Sequence, residues 1–460
     1  MIATQSERVL QKELKIPFSI KVAYGSGDIV NGLAFNTINF FYLFFLNAII
    51  GLPPYLAGLV LLIGRIWDGI TDPVMGMIVD NTKSKSGKHR IWLIIAIVPF
   101  IVTFFLLWQD FAGSDISRFV IYSFLFILFS TMFTMFNIPY GSMTADLTHD
   151  YNERTSITAV RMVFSLLAMI IGAGLTQILA GSKSLGYPGM AAIFCGVMLI
   201  SGLITYFSTK GYDIVTDNSD GIRLRIYFDA FKNKPFVLLV SAYLLLSIAT
   251  TGVSGIFIYY VKYTLRMTSD IQSSIIMGVL VIASIAALPL WALVSNTFSK
   301  KAALFTGMAV FGCGLISIVF TGLNYGSVVF YTLAVICGIG LSSFFIVLWS
   351  MIPDVVEYGQ LQSGQRHAGI YYGLWFFVQK LGMALSATIN GWVLTWSGFK
   401  QEQGGRILEQ SIDAIQGINA LLVWIPIAFI IIGLIILYFY PIDAKKHAEI
   451  RKELLERNMT

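Results

Sequence analysis

The chain has 460 residues, of which 56% are hydrophobic and only 12% are charged, with 31 Lys and Arg against 25 Asp and Glu. That charged share is about half of what a soluble domain carries, so a water-soluble fold of this length is excluded. The net charge of +6 is spread over short loops instead of forming a basic patch, which argues for membrane topology and against a nucleic-acid partner.

Residues 1–21 are polar and carry Arg8, Lys12, Lys15 and Lys21 without an apolar h-region, so the first hydrophobic span is expected to serve for insertion. A spanning helix needs about 20 mainly apolar residues. Runs of that length predict twelve spans, at about 22–50, 55–80, 91–109, 117–146, 155–180, 188–208, 236–261, 271–296, 302–322, 327–353, 367–398 and 417–440. Both termini then share a side that holds 22 Lys and Arg against six on the other, and the positive-inside bias makes that side cytoplasmic. Arg65, Arg161 and Lys380 fall inside spans, where charge is costly and by default functional.

In the first span Asp28, Asn31, Asn36 and Asn39 fall within an arc of about 140° at the helical period. Such a stripe lines a cavity or forms an interhelical hydrogen-bond set, the latter being the plainer reading for Asp28. The second span reads GRIWDGITDPVMGMIVDNTKSKSGKHR, with Asp68 and Asp72 about one turn apart, able to converge on one small cation or to hold a transported proton. Pairing with Arg65 alone would leave one of the two acids unneutralised. The fourth span carries FNIPYGS, with Asn137 beside Pro139, and the fifth carries Arg161 between Thr158 and Ser165. A membrane proline is tolerated where freed backbone groups line a cavity or find partners.

The polar interval 209–235 splits the spans into six plus six, the layout of carriers whose halves rock about a midplane site. This predicts a bundle at 1–208, a central loop at 209–235, a second bundle at 236–440 and a charged tail at 441–460. PDVVEYGQLQSGQRH closes the tenth span, and its Asp354, Glu357 and Arg366, with Arg154 after the fourth span, can form a cytoplasmic ion-pair latch. In the eleventh span Tyr371, Tyr372, Trp375 and Gln379 accompany Lys380, an aromatic and hydrogen-bonding set that suits a sugar ring. The three cysteines sit in apolar segments without metal-ligand spacing and read as packing residues. The tail DAKKHAEIRKELLERN reads as a short charged helix at the membrane surface.

These motifs, RIWDGITDP with its basic GKHR loop above all, then NIPYGS and DVVEYG, resemble the glycoside-pentoside-hexuronide:cation symporter family over nearly the whole chain. The resemblance implies an all-α membrane protein of the major facilitator fold, two six-helix bundles working by alternating access. It implies Na⁺ or H⁺ as the coupling ion, with Asp68, Asp72 and Thr134 as its ligands, and a small sugar as substrate. Arg161 and Lys380 match the charged residues near the sugar, and Arg154, Asp354, Glu357 and Arg366 match the cytoplasmic gate.

Where the family's sugar-binding aspartates stand, this chain has Gly32 and Asn137, and two pocket tryptophans appear as Gly141 and Phe345. With Asn31 and Trp375 these complete the expected substrate set. A pocket that loses two acids but keeps Arg161 and Lys380 suits an anionic uronide, while a neutral xyloside or other glycoside could hydrogen-bond the two asparagines. A lipid-handling transporter of the same fold and a non-transporting sugar sensor are the alternatives. Enzyme chemistry is not expected, since no HExxH, GxSxG or P-loop pattern occurs. A multi-pass protein of a bacterial plasma membrane, in contact with lipid, is the expected setting.

Overall fold

The computed structural model describes residues 16–84, 86–147, 151–181, 185–212, 230–267, 270–321, 327–364, 368–400 and 409–457, and every regular element among them is helical. Nine stretches among these residues are long and apolar enough to cross a bilayer, from Arg90–Leu107 to Ile412–Tyr438. The predicted first, second and eleventh spans are helical too but fall outside the nine. The first is broken into short helices and π turns, the second carries Arg65, Asp68 and Asp72, and the eleventh carries Gln379 and Lys380. Broken helix in the first case and in-span charge in the other two thus mark the spans that hold Asn31, both candidate cation carboxylates and Lys380.

Packing divides the chain into two compact units, Met1–Ile38 with Trp67–Gly221 and Asn39–Ile66 with Ile222–Thr460. The first unit contains α1 (Phe18–Gly25), α2 (Gly27–Thr37), α3 (Pro54–Asp80) from Trp67 onward, α4 (Arg90–Leu107), α5 (Asp115–Leu147), α6 (Tyr151–Ala180) and α7 (Gly186–Ser208). An aromatic column joins α4 to α5, with Phe100 5.5 Å from Phe129 and 5.7 Å from Phe133 between ring centroids. Small residues let α2 approach its neighbours, as lipid-embedded helices require when no hydrophobic effect drives them together. At Gly27 the ring of Tyr140 and the Thr205 hydroxyl occupy the space a Cβ would need. Arg90, counted above as a loop charge, is buried and donates through Nε and Nη2 to the Tyr206 carbonyl at 3.1 and 2.9 Å, near the end of α7. A cation there satisfies an end-of-helix carbonyl and complements the helix dipole.

In the second unit Asn39–Ile66 packs with α8 (Lys234–Tyr259), α9 (Asp270–Thr297), α10 (Lys300–Thr321), α11 (Ser327–Ser363), α12 (Ala368–Trp396), α13 (Ile412–Asn419), α14 (Ile425–Tyr438) and α15 (Ala444–Glu456). The unit boundary therefore falls inside the predicted N-terminal bundle. The reason is local: Tyr259 OH donates to the Leu43 carbonyl and to Asn47 Oδ1, both at 3.3 Å, and Lys262 Nζ lies 4.8 Å from the Phe44 ring centroid. Gly58 and Gly391 let α3 and α12 touch at backbone distance; a Cβ on Gly58 would stand 2.8 Å from the Ala387 carbonyl. Asn233 caps α8 by accepting from Phe236 N at 3.1 Å, and Asp443 caps α15 by accepting from Lys446 N at 2.8 Å.

Candidate functional site

In the first unit, two hydrogen bonds set the register of α3 on α5. Trp67 Nε1 donates to Thr131 Oγ1 at 2.9 Å, and one turn further along α5 Thr134 Oγ1 donates to Asp72 Oδ1 at 2.6 Å. Asp68, one turn before Asp72, is 1% exposed. Two carboxylates and a hydroxyl on adjoining helix faces supply the oxygen-only donors that a small hard cation takes. Thr134 and Asp72 lie 62 residues apart in the chain and meet only through this helix pairing.

A second polar cluster in the same unit centres on Arg161. Its Nε and Nη2 grip Asp28 Oδ2 and Oδ1 at 2.8 and 3.1 Å, and its Nη1 donates to Thr144 Oγ1 at 2.7 Å. Tyr140 OH donates to Asp28 Oδ2 at 2.7 Å, and its ring centroid lies 4.6 Å from the guanidinium. Tyr24 completes the cluster through hydrogen bonds to the Tyr140 carbonyl and to Thr144. A carboxylate thus already neutralises Arg161, which the sequence reading of a pocket keeping this cation does not include. Asp28 takes the interhelical role that was its plainer reading, and one turn from it stands a contrast. Both side-chain polar atoms of Asn31 are buried and make no hydrogen bond among the described residues.

A buried amide left without partners costs about 1 to 3 kcal/mol per group, which a protein retains where a ligand or water supplies the missing bonds. Asn137 is half-buried on α5, two residues before Pro139. Asn36, from the same stripe as Asn31, donates instead to the Gly32 carbonyl at 2.7 Å within its own helix.

The second unit holds Phe345, Trp375 and Lys380. Trp375 is 0% exposed and stacks on Tyr243 at 3.7 Å between centroids, and Phe344 stacks on Tyr243 at 5.5 Å. The Trp375 ring is therefore committed to packing, not open to a sugar face. Phe345 is 40% exposed, and Trp349 and Phe376 stand 5.5 Å apart beside this stack. Lys380 is half-buried on α12.

Two of the expected gate residues, Asp354 and Glu357, have partners among the described residues. Asp354 pairs with Lys300 at 2.6 Å, and His447 of the tail lies 2.9 Å from Glu357 and 3.6 Å from Asp354. Lys300 also donates to the Ser350 carbonyl at 2.7 Å. The tail helix α15 packs on its own unit through Ile450 and Leu454, both buried. On its outer face Glu449 accepts from Lys446 at 3.0 Å, which raises the Lys446 ammonium above its usual value. Arg366 lies outside the described residues, as does the side chain of Arg154. Sequence reading did not identify Lys300, His447, Tyr140 or Thr144; His447, one of four histidines, was the only compositional cue.

A family model described as MFS/sugar transport protein matches residues 23–444. The glucuronide carrier protein homolog of Escherichia coli is 28% identical, over 95% of both chains. Sodium-dependent lysophosphatidylcholine symporter 1-A of Danio rerio is 26% identical, over 96% of this chain and 90% of that protein. Among solved structures, a bacterial homolog of the human lysosomal transporter Spinster superposes with a TM-score of 0.69 over 97% of this chain and 99% of its own, at 12% identity, a likeness of fold alone.

Proposed function

Because the chain belongs to the MFS/sugar transport protein family, we propose that it is a cation-coupled symporter of a small glycoside, pentoside or hexuronide. It is an all-helical secondary transporter of the major facilitator fold, a multi-pass protein of the plasma membrane and not an enzyme. The observation that carries the coupling is the Asp72–Thr134 hydrogen bond, made beside the buried Asp68 in a span that carries charge. Charged and hydroxylic oxygens gathered at membrane depth are retained for an ion or proton path. The unpartnered amide of Asn31 supports a hydroxyl-rich substrate, since a sugar offers both donors and acceptors to it. In this reading twelve spans, with both termini cytoplasmic, alternate access to substrate and ion, and Lys380, Asn137 and Phe345 contribute to substrate contact.

A second reading, transport of a lysophospholipid, is favoured by the name of the zebrafish relative. One experiment separates the two. Purified protein in proteoliposomes is given imposed Na⁺ or H⁺ gradients and radiolabelled glucuronides, xylosides, galactosides and lysophosphatidylcholine. Gradient-dependent accumulation of a sugar is expected; movement of lysophosphatidylcholine alone refutes the sugar reading.

A further inference from the structure

Arg161 presents its donors to Asp28 so completely that no substrate oxygen can use Nε without displacing that carboxylate. Breaking a buried ion pair from one side is strongly unfavourable, because it strands a charge in a poorly solvating place. Exchange of partners avoids this if the incoming group is itself an anion and Asp28 loses its charge in the same event. We propose that Asp28 and Arg161 form an exchange site at which the carboxylate of an acidic sugar replaces Asp28 on the guanidinium while Asp28 takes up one proton.

Before exchange the pair carries one negative and one positive charge; afterwards the sugar carboxylate and Arg161 carry them, and a new O–H bond on Asp28 holds a proton taken from water on the open side. A neutral glycoside cannot do this, since protonating Asp28 would then leave Arg161 uncompensated. Asn31, one turn from Asp28 on α2 with both amide atoms unpartnered, is placed to hold the ring hydroxyls of the same ligand.

The other groups facing Asp28 are compatible with this role. Tyr140 from α5 donates to it, Tyr24 from α1 and Thr144 from α5 bind one another and the guanidinium, and Thr205 from α7 lies nearby against Gly27. Lys21, the next cation along α1, is held by Glu153 of α6 at 2.8 Å and does not compete for Asp28. The inference rests on the sugar-transport reading and narrows it to proton-linked uptake of uronides.

The test uses purified full-length protein in weakly buffered detergent, with 4-nitrophenyl β-D-glucuronide and the matching β-D-glucoside as probes, and measures protons taken up per sugar bound. Wild type is expected to take up about one proton with the glucuronide and none with the glucoside. Asp28→Asn should bind the glucuronide with no proton uptake. Tyr140→Phe, which keeps the ring packing should the first variant fold poorly, removes a donor to the ionised carboxylate and should change the pH profile of proton uptake. Proton uptake that persists in Asp28→Asn, or an unmoved profile in Tyr140→Phe, overturns the exchange. Binding of the glucoside but not the glucuronide overturns it while leaving sugar transport standing, whereas binding of neither overturns both.

Discussion

Replacing Lys300 with Met removes the cation 2.6 Å from Asp354 and the donor to the Ser350 carbonyl, while filling much of the same volume. Breaking a fully buried pair costs about 3 to 5 kcal/mol and an exposed one about 0 to 1. The Asp354 side chain is 8% exposed but that of Lys300 is 35% exposed, and His447 stands 3.6 Å away as a second partner. The loss should accordingly be about 2 kcal/mol. Asp354→Asn strands the more exposed member, whose ammonium can turn to water, so about 1 kcal/mol is expected. The double variant should lose little more than Asp354→Asn alone, because the stranded carboxylate is gone. The assay is loss of monodisperse protein after heating in detergent at one fixed schedule, since unfolding of such proteins is commonly irreversible and only rates at matched conditions compare. Additive losses from the two single variants would refute the reasoning, for they would mean that Lys300 and Asp354 act on separate partners.

At the candidate ion site, Asp68→Asn or Asp72→Asn should abolish gradient-driven sugar accumulation in proteoliposomes while sugar exchange survives; undiminished accumulation by both would remove the assignment. Thr134→Val deletes a hydroxyl bonded to a carboxylate, a loss of about 1.5 to 3 kcal/mol, and should raise the cation concentration for half-maximal uptake at least about tenfold. Asn31→Leu should stabilise the empty protein against heat, by filling the site without unsatisfied groups, and at the same time weaken sugar binding; destabilisation would show that the amide has a partner. Gly391→Val places a branched side chain against the Pro54 carbonyl and should slow transport without reducing sugar binding in detergent, which parallel flux and binding assays would check.

Hydrophobic run length made the helical membrane fold legible, because bilayer thickness imposes its own ruler on the chain. Where the helices depart from regularity was less visible: π turns at Ile38–Tyr42, Tyr260–Thr264 and Ala420–Trp424 carry no composition of their own. The candidate acids Asp68 and Asp72 stood out because charge in an apolar run is rare. Their hydroxyl neighbour Thr134 came from family resemblance, since a threonine in a membrane helix is common and its partner is distant in sequence. Arg161 was conspicuous for the same reason as the acids, yet its engagement by Asp28 depends on which faces α2 and α6 turn to each other. The stack of Trp375 on Tyr243 was not legible, because an indole suited to a sugar is equally suited to another aromatic ring. The tail's docking was hidden by its high charge, with Ile450 and Leu454 supplying a narrow apolar stripe among lysines and glutamates.

The ion pair between Asp28 and Arg161 joins residues 133 positions apart, and that separation has a consequence during synthesis. At about 5 to 20 residues per second, the span bearing Asp28 is made and handed to the bilayer several seconds or more before the span bearing Arg161. A carboxyl group can wait in such a place by holding a proton, whereas a guanidinium has no neutral form to adopt. The order of the two residues along the chain puts first the one that can travel uncharged, so that the arginine enters a membrane where its counter-ion already stands. An otherwise identical protein with the two side chains exchanged would have to expose an arginine to lipid through that whole interval, and its yield in the membrane should suffer even where its finished fold does not.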